Sequence, residues 1–145
     1  MEYKEIKIEN AGSLAELFME SFNSPPWNDR WNIETAEIRL AQMLDGRASY
    51  GMAAYDNGVL CGMAIGCFEQ YYDGIVFNLR EFCVKNSLRG KGVGSVIYSE
   101  LENRLRQKNV KEITLNTLNG RVTEGFYEKL GMSKTETIVV MNKKL

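Results

Sequence analysis

The spacing of apolar residues in the first third of the chain predicts one strand followed by two helices. Alternation between Tyr3 and Ile8 predicts the strand. A capping-box pattern that begins at Ser13 predicts the start of the first helix, whose apolar positions are Leu14, Leu17, Phe18 and Phe22. Asn32 can cap the second helix, which Gly46 ends and whose apolar face contains Ile33, Ala36, Leu40 and Leu44. Residues 23–31, between the helices, contain both prolines and both tryptophans, which predicts a loop.

From Ala48 onward, strand-like and helical patterns follow one another. Two runs with a period of two, Ala48–Tyr55 and Val59–Phe68, flank Asn57-Gly58, a pair that is favoured in hairpin turns. The remaining predicted elements are a strand over Ile75–Val84, a helix over Gly92–Lys108, a strand over Ile113–Thr117, a helix over Val122–Leu130 closed by Gly131, and a strand over Thr135–Asn142. This order predicts a single α/β domain over residues 1–145, with a mixed sheet and helices on its faces.

The composition is that of an ordinary globular protein, with 145 residues of which 44% are hydrophobic and 26% charged. The chain contains no histidine. This excludes Ser-His-Asp and Cys-His nucleophilic sites, imidazole metal ligands and a histidine general base. Any chemistry must therefore use carboxylates, Tyr, Cys, Lys, Arg or backbone groups.

Charge, hydropathy and cysteine content restrict the partners and the compartment. A net charge of −1 argues against a nucleic-acid binder. The longest apolar run, Val59–Phe68, is about half a membrane span, and the first residues show no secretory signal, so no membrane association is expected. Cys61 and Cys67 would lie about 20 Å apart in one strand and cannot pair, and no CxxC metal motif occurs. We therefore expect reduced thiols, no metal and a cytoplasmic protein.

A glycine-rich turn between a strand and the longest helix predicts an anion-binding site. In the segment 84–95, Gly90, Gly92 and Gly94 let the backbone approach a ligand, and the first N–H groups of the helix lack partners within it. Residues 82–99 contain no acid and three cations, Lys85, Arg89 and Lys91. The spacing fits neither the Walker pattern nor the dinucleotide pattern. The alternative is a turn whose glycines only allow the helix and strand to pack closely.

Two motifs resemble those of the GNAT superfamily, the acetyl-CoA-dependent N-acetyltransferases. Arg89-x-x-Gly92-x-Gly94 resembles the family's R/Q-x-x-G-x-G/A motif. The segment 125–132 resembles the helix that follows the fifth strand in these enzymes, with Met132 in place of the usual Phe. Residues 23–31 and the helix after them resemble small bacterial members related to aminoglycoside 6′-N-acetyltransferases. The resemblance covers nearly the whole chain.

The resemblance implies a fold, a co-substrate and a reaction. The fold would be a mixed, mostly antiparallel sheet of six to seven strands flanked by about four helices. The activity would be acetyl transfer from acetyl-CoA to a primary amine by direct attack on the thioester, without a metal. A small-molecule acceptor is expected; a protein N-terminus or lysine side chain, or a non-catalytic acyl-CoA-binding module, are the alternatives. Many relatives pair through their C-terminal strands, and Thr137–Met141 is apolar enough for an edge that would benefit from covering, so the resemblance also implies a homodimer.

Tyr127 is the position that the resemblance implies for a general acid toward the leaving sulfur. If Val122, Phe126 and Leu130 form the buried face of their helix, Tyr127 lies about 100° around, at the edge of that face. The alternative is an amphipathic Tyr that completes the edge of the core. Cys83 is interpreted as a small buried strand residue, because no histidine is present to activate a thiolate.

Coenzyme contacts follow from the same resemblance. The backbone of a splayed fourth strand, Phe82-Cys83-Val84, would pair with the pantetheine arm. The pyrophosphate would be held by backbone N–H groups of Arg89, Gly90, Lys91, Gly92, Val93, Gly94 and Ser95. Relatives often carry Asn seven residues before the Tyr and Ala four before it, but here Gly120 and Thr123 occupy these positions. Asn119, one residue early, is carried over as a coenzyme contact.

The base and the acceptor site are less sharply defined by the sequence. Glu81 stands where many relatives carry an acid that works directly or through water; a solvated strand residue or a partner of Arg80 are the other interpretations. Glu69 and Asp73 are reserve candidates, and an amine of low pKa needs no dedicated base. Trp27 and Tyr72 are expected to line the acceptor site, with Trp31 and Tyr71 as further candidates; each could instead cap the core. For a polycationic acceptor, an acidic cleft could be formed by Asp29, Glu34, Glu69, Asp73 and Glu81.

Overall fold

A computed structural model describes all residues, Met1–Leu145, as five strands and four α-helices. The strands are β1 (Glu2–Glu5), β2 (Ser49–Asp56), β3 (Val59–Tyr71), β4 (Gly74–Val84) and β5 (Val110–Leu115). The helices are α1 (Ala11–Phe22), α2 (Ile33–Leu44), α3 (Val93–Gln107) and α4 (Glu124–Lys129), with 3₁₀ turns at Ile8–Asn10 and Asn86–Leu88. None of these helices combines the length and the apolar character that a membrane crossing requires.

The strands form one sheet in chain order, β1-β2-β3-β4-β5. The first three pairings are antiparallel, and β4 pairs with β5 in parallel, so the predicted mixed sheet is confirmed. Asn57 and Gly58 both have positive φ, 48° and 79°, as a primed hairpin turn requires. They connect β2 to β3, which confirms the predicted hairpin.

The sheet separates two apolar layers. Helices α1 and α2 cover one face, on which Met63, Ile65 and Cys83 belong to a continuous buried cluster with Leu14, Phe18 and Leu40. Helix α3 covers the other face, where Phe77 and Val84 pack with Ile97, Leu101 and Leu105. Since successive strand residues point to opposite faces, β4 delivers side chains to both layers. This matters for the site, because neighbouring residues of β4 contribute to different layers.

The predicted last strand, Thr135–Asn142, does not form, so the sheet has five strands and not six to seven. Residues 133–145 make no backbone–backbone hydrogen bond, and Val139 is 78% exposed. An apolar segment becomes a strand only when a neighbouring strand supplies partners for its N–H and C=O groups. The outer edge of β5 does not do so within this chain.

Other element boundaries differ from the prediction for local reasons. Helix α1 begins at Ala11 rather than after Ser13, because the 3₁₀ turn leads directly into it, and the Ser13 hydroxyl donates to the Asn10 carbonyl (2.9 Å). The cap at Asn32 is confirmed, since its side-chain oxygen accepts the Thr35 N–H (2.8 Å). Strand β5 begins earlier than predicted, at Val110, and α4 is shorter than predicted.

Gly62 in β3 is expected to be essential to the packing of the sheet against α3. A Cβ atom at this position would lie 2.7 Å from the Cys83 carbonyl oxygen and 2.7 Å from Cδ1 of Ile97. Gly62→Ala should therefore lower the free energy of unfolding by about 1–3 kcal/mol, the usual cost of overpacking. Urea denaturation measures the change. Gly125→Ala is the matched control, because its Cβ would meet open space, and equal midpoints for the two variants would contradict the prediction.

Candidate active site

The site begins where β4 and β5 stop pairing. Their parallel pairing runs from Ile75 with Val110 to Leu79 with Leu115, and β4 then continues without β5 to Val84. On the other side of β4, Glu81 faces Ile65 and Leu79 faces Gly66, so Arg80 is an extra residue in a bulge. Beyond Arg80, only β3 pairs with β4. The backbone of Phe82–Val84 therefore has a free edge.

An open cleft of about 1180 Å³ lies along this free edge, and we call it the β4–α4 cleft. Its walls are the end of β4, the turn before α3, helix α4 and the loop that contains Trp27. It brings together ten of the predicted site residues, namely Trp27, Phe82, Cys83, Val84, Arg89, Gly90, Gly92, Gly94, Ser95 and Tyr127. Lys91 and Val93 belong to the same turn and helix start but are not among the lining residues. Asn119 lines a different groove, beside β5.

The turn before α3 presents a continuous row of unpaired donors to the cleft. From Gly90 to Ser95, no backbone N–H donates to an acceptor in the protein, and the helix cap, Gly92, has no side chain to satisfy them. Gly90 and Gly92 have φ of 71° and 80°, a conformation that residues with a side chain rarely adopt. Together with the positive end of the α3 dipole, this geometry can bind an anionic group such as a pyrophosphate.

Phe126 fixes helix α4 over the cleft. Its ring stacks on Phe82 (centroids 5.7 Å apart), and a Cβ at Gly94 would come within 3.1 Å of it. A side chain at position 94 would therefore crowd the Phe126 ring where α3 and α4 approach each other. Phe126 and Leu130 are only half-buried, and Val122 is exposed. The prediction that these three residues form a buried helical face is therefore wrong at Val122. The helix begins at Glu124, after Val122, which explains the difference.

Tyr127 lies between the β4–α4 cleft and the groove beside β5, and it lines both. Its ring contacts Phe126 (5.0 Å between centroids) and Tyr98 (6.4 Å) edge to face. Burial raises the pKa of Tyr127 well above the usual value for a phenol, and Tyr98, Cys83 and Glu81 act in the same direction. The hydroxyl keeps its proton at neutral pH, as an ordinary phenol does, and the raised pKa makes it a weaker acid.

Glu81 points to the opposite layer of the sheet and meets a partner that the sequence did not reveal. The guanidinium of Arg39, on α2, donates to Oε1 of Glu81 at 3.1 Å. Burial raises the pKa of Glu81, while Arg39 and Arg80 lower it and Asp29 raises it. The net shift is upward. Residues 39 and 81 are 42 positions apart, and no local sequence pattern links such a pair.

Arg89 uses its side chain for anchoring. The guanidinium donates to the carbonyl oxygens of Ser21 (2.9 Å) and Pro25 (3.3 Å) and to the hydroxyl of Ser24 (3.2 Å). It also lies 5.3 Å from the centre of the Trp27 ring. A cation at the carbonyl end of α1 is stabilised by the helix dipole. Arg89 thereby connects the glycine turn to the loop after α1, and its side chain is directed away from the unpaired N–H row.

Cys83 is buried, with 3% of its surface exposed, and burial raises the pKa of its thiol to about 12. The group is protonated at neutral pH and is not a nucleophile. This agrees with the sequence-based interpretation of a packing residue. Its backbone, in contrast, lies on the free edge of β4.

Three predicted acceptor residues, Tyr71, Tyr72 and Trp31, do not line the cleft. Tyr71 and Tyr72 are at the turn between β3 and β4, where Tyr72 is fully exposed, about 30 Å of strand away from Phe82. Asp73 pairs there with Lys111 (2.6 Å). Trp31 packs on Phe18, and its indole N–H donates to Asp29 (3.0 Å).

The five acids therefore do not form one cleft. Glu69 accepts from the Asn78 side chain near the same turn as Asp73, and Glu34 lies exposed in the first turn of α2. Of the other four acids, only Asp29 is among the charges that act on Glu81.

The sequence profile of the acetyltransferase (GNAT) family matches residues 12–132. The chain therefore belongs to this family and is an acyltransferase; the family uses acetyl-CoA. A comparison with curated proteins found no match.

Solved structures of acetyltransferases share the fold at low identity. A possible acetyltransferase from Clostridium difficile 630 has a TM-score of 0.83 at 13% identity, with 99% of this chain and 97% of the other covered. A ribosomal-protein-alanine N-acetyltransferase from Brucella melitensis biovar Abortus 2308 has 0.78 at 16%, covering 99% and 100%. The aminoglycoside N-acetyltransferase AAC(6')-Iy, in complex with CoA, has 0.74 at 17%, covering 99% and 95%.

Arg89→Lys should lower the free energy of unfolding by about 1–3 kcal/mol, since an ammonium cannot reproduce the fork of hydrogen bonds to the segment 21–25. Thermal or urea denaturation without coenzyme provides the measurement. Lys91→Gln is the control, because the Lys91 side chain is exposed and forms no ion pair. A stability of Arg89→Lys equal to that of Lys91→Gln would show that the anchor is unimportant.

Proposed function

We propose that this protein transfers an acetyl group from acetyl-CoA to a primary amine of a small molecule, by direct attack of the amine on the thioester. The observation that carries the proposal is the free edge of Phe82–Val84 beside the unpaired N–H row of the glycine turn. Tyr127 and Glu81 lie on the two faces of the sheet at this edge. A proton donor and a proton acceptor thus flank the same strand.

Backbone groups that line the cleft support the proposed binding of the coenzyme. The N–H groups from Gly90 to Ser95 would bind the pyrophosphate, since anions bind at helix N-termini. The free N–H and C=O groups of Phe82–Val84 would pair with the amides of the pantetheine arm, as an added strand does. Asn119, which lines the groove beside β5, is not part of this arrangement.

The reaction requires two proton transfers, and the chain offers a group for each. The ammonium of the acceptor first gives a proton to Glu81, directly or through water. The amine nitrogen then bonds to the thioester carbonyl carbon, a backbone N–H at the strand edge stabilises the oxyanion, and the C–S bond breaks. Tyr127 gives its proton to the leaving sulfur and regains one from the new amide nitrogen. Overall, the ammonium and acetyl-CoA are converted to one amide and one thiol, and one proton is released.

The proposal as a whole is tested by thiol release from acetyl-CoA across a panel of amines, with coenzyme affinity measured separately by calorimetry. Amine-dependent release is expected. Tight coenzyme binding without release by any amine would refute the enzyme proposal and favour a non-catalytic acyl-CoA-binding module.

Tyr127→Phe should lower kcat about 10²–10⁴-fold, the usual contribution of a positioned acid, while the affinity for the coenzyme changes little. The substitution keeps the ring contacts to Phe126 and Tyr98 and removes only the proton donor. Turnover equal to wild type would show that Tyr127 has a packing role only. Tyr55→Phe, remote in β2, is the control.

Gly92→Asp should abolish coenzyme binding. The new side chain would strain a backbone with φ of 80° and place a negative charge beside the N–H row. Calorimetric titration with CoA gives the measurement, and thermal denaturation shows whether the variant is folded. Retained affinity would overturn the assignment of the turn to the pyrophosphate. Gly58→Asp, at positive φ in the distant hairpin turn, controls for backbone strain.

We also propose a homodimer that uses Thr137–Met141. A groove of about 930 Å³ separates β5 from these residues, and Ile138 and Val140 line it. The outer edge of β5 and this exposed apolar segment offer complementary pairing groups to a second copy. Light scattering should give twice the monomer mass, and Val140→Asp should give the monomer, with Lys143→Gln as control. A wild-type monomer at all concentrations would refute this.

The cytoplasm is the compartment that we propose for the protein. Cys61, Cys67 and Cys83 are all free thiols. Thiols persist in reducing compartments.

A further inference from the structure

The ion pair between Arg39 and Glu81 occupies the side of β4 that the coenzyme does not use. Glu81 and Cys83 share one face of the strand, and Cys83 belongs to the core layer under α1 and α2. Arg39 comes from α2, in that same layer. An acceptor amine that approaches the free edge of β4 from the α1–α2 side therefore meets this pair.

The Arg39 side chain uses few of its hydrogen-bond donors within the protein. A guanidinium has five N–H donors in a fork that matches a carboxylate. The only hydrogen bond that the Arg39 side chain makes within the protein is to Oε1 of Glu81. Its side chain is 31% exposed, whereas that of Glu81 is 15% exposed. A cation with unused donors thus stands beside the carboxylate that receives the ammonium.

The charges around this carboxylate are mixed. Arg39 and Arg80 are the cations that act on Glu81, and Asp29 is the nearby anion. The titratable groups Cys83 and Tyr127 also interact with Glu81 and remain neutral at neutral pH. A polycationic acceptor would bring further positive charge next to two arginines. An acceptor with one positive and one negative group could place its positive group beside Glu81 and its negative group beside Arg39.

We propose that the acceptor is an α-amino acid, whose ammonium binds Glu81 and whose carboxylate binds the free donors of Arg39. This inference rests on the proposed acetyltransferase function and specifies its substrate class. Arg39 is then a specificity residue that touches the substrate, and it also positions Glu81. The reaction is unchanged: the C–N bond forms at the α-amino nitrogen, the C–S bond breaks, and the ammonium proton leaves through Glu81.

Matched acceptor pairs test the proposal. Each common α-amino acid is compared with the amine that lacks only its carboxylate, such as phenylalanine with phenethylamine or lysine with cadaverine. For the preferred amino acid, kcat/KM from thiol release should exceed that of its partner amine at least about tenfold, as expected for a charge-assisted hydrogen bond. Equal values, or a preference for the amines, would overturn the proposal. Tight coenzyme binding without release by any compound would instead refute the proposed function.

Arg39→Gln separates recognition from folding. The variant can still donate to Glu81 but has no charge, so KM for the amino acid should rise about 10–100-fold, a larger loss than the partner amine suffers through the altered pKa of Glu81. The acid limb of the pH profile for that amine should move to higher pH, because the cation that favours ionised Glu81 is gone. Arg39→Lys should recover part of the affinity. An equal loss for both acceptors would mean that Arg39 is only structural.

Arg47→Gln provides the matched control. Arg47 is exposed in the connection after α2 and forms no ion pair. The ratio of kcat/KM between amino acid and amine should be unchanged in this variant. A similar change in Arg47→Gln and Arg39→Gln would attribute the preference to the general surface charge and would contradict the proposal.

Discussion

The separation of β4 from β5 is the constraint on which the rest of the site depends. Two parallel strands that remained paired to their ends would leave no backbone available to a ligand. Here pairing ends at Leu79 with Leu115, and the bulge at Arg80 lets the last residues of β4 continue alone. Unpaired strand edges are normally covered or blunted. In this protein the edge of β4 is left open between α3 and α4. The N-terminal ends of these helices and the side chains of the site surround that edge.

The site has a main-chain part and a side-chain part, which Arg89 holds together. In the proposed arrangement, the coenzyme is bound by N–H groups of the glycine turn, whereas the acceptor meets the side chains of Glu81 and Arg39 in the opposite layer. Arg89 belongs to the turn by sequence, but its guanidinium is bonded to Ser21, Ser24 and Pro25. A displacement of the loop after α1 would therefore be transmitted to the turn. The relative position of the two parts is fixed by several charge-assisted hydrogen bonds.

The sequence predicted the parts of the site that are coded locally. The glycines, the start of α3 and the position of Tyr127 follow from short-range spacing, and so does the Asn57-Gly58 hairpin. Contacts between distant segments could not be predicted: the Arg39–Glu81 pair and the anchoring role of Arg89 depend on how α1 and α2 pack on the sheet. The prediction of a last strand was wrong. The apolar pattern of this segment suits a strand, but no neighbouring strand pairs with it. Tyr72 illustrates the same limit, since loop composition does not tell which end of the sheet a loop occupies.

The row of backbone N–H donors from Gly90 to Ser95 has a consequence for how such a protein can change during evolution. A ligand that is held by the main chain is insensitive to most side-chain replacements, provided that the glycines keep the turn in shape. The proposed acceptor site consists of side chains, which single mutations alter one at a time. The donor substrate can therefore stay constant while the acceptor drifts, and a gene duplicate needs few mutations to acquire a new amine without rebuilding its chemistry.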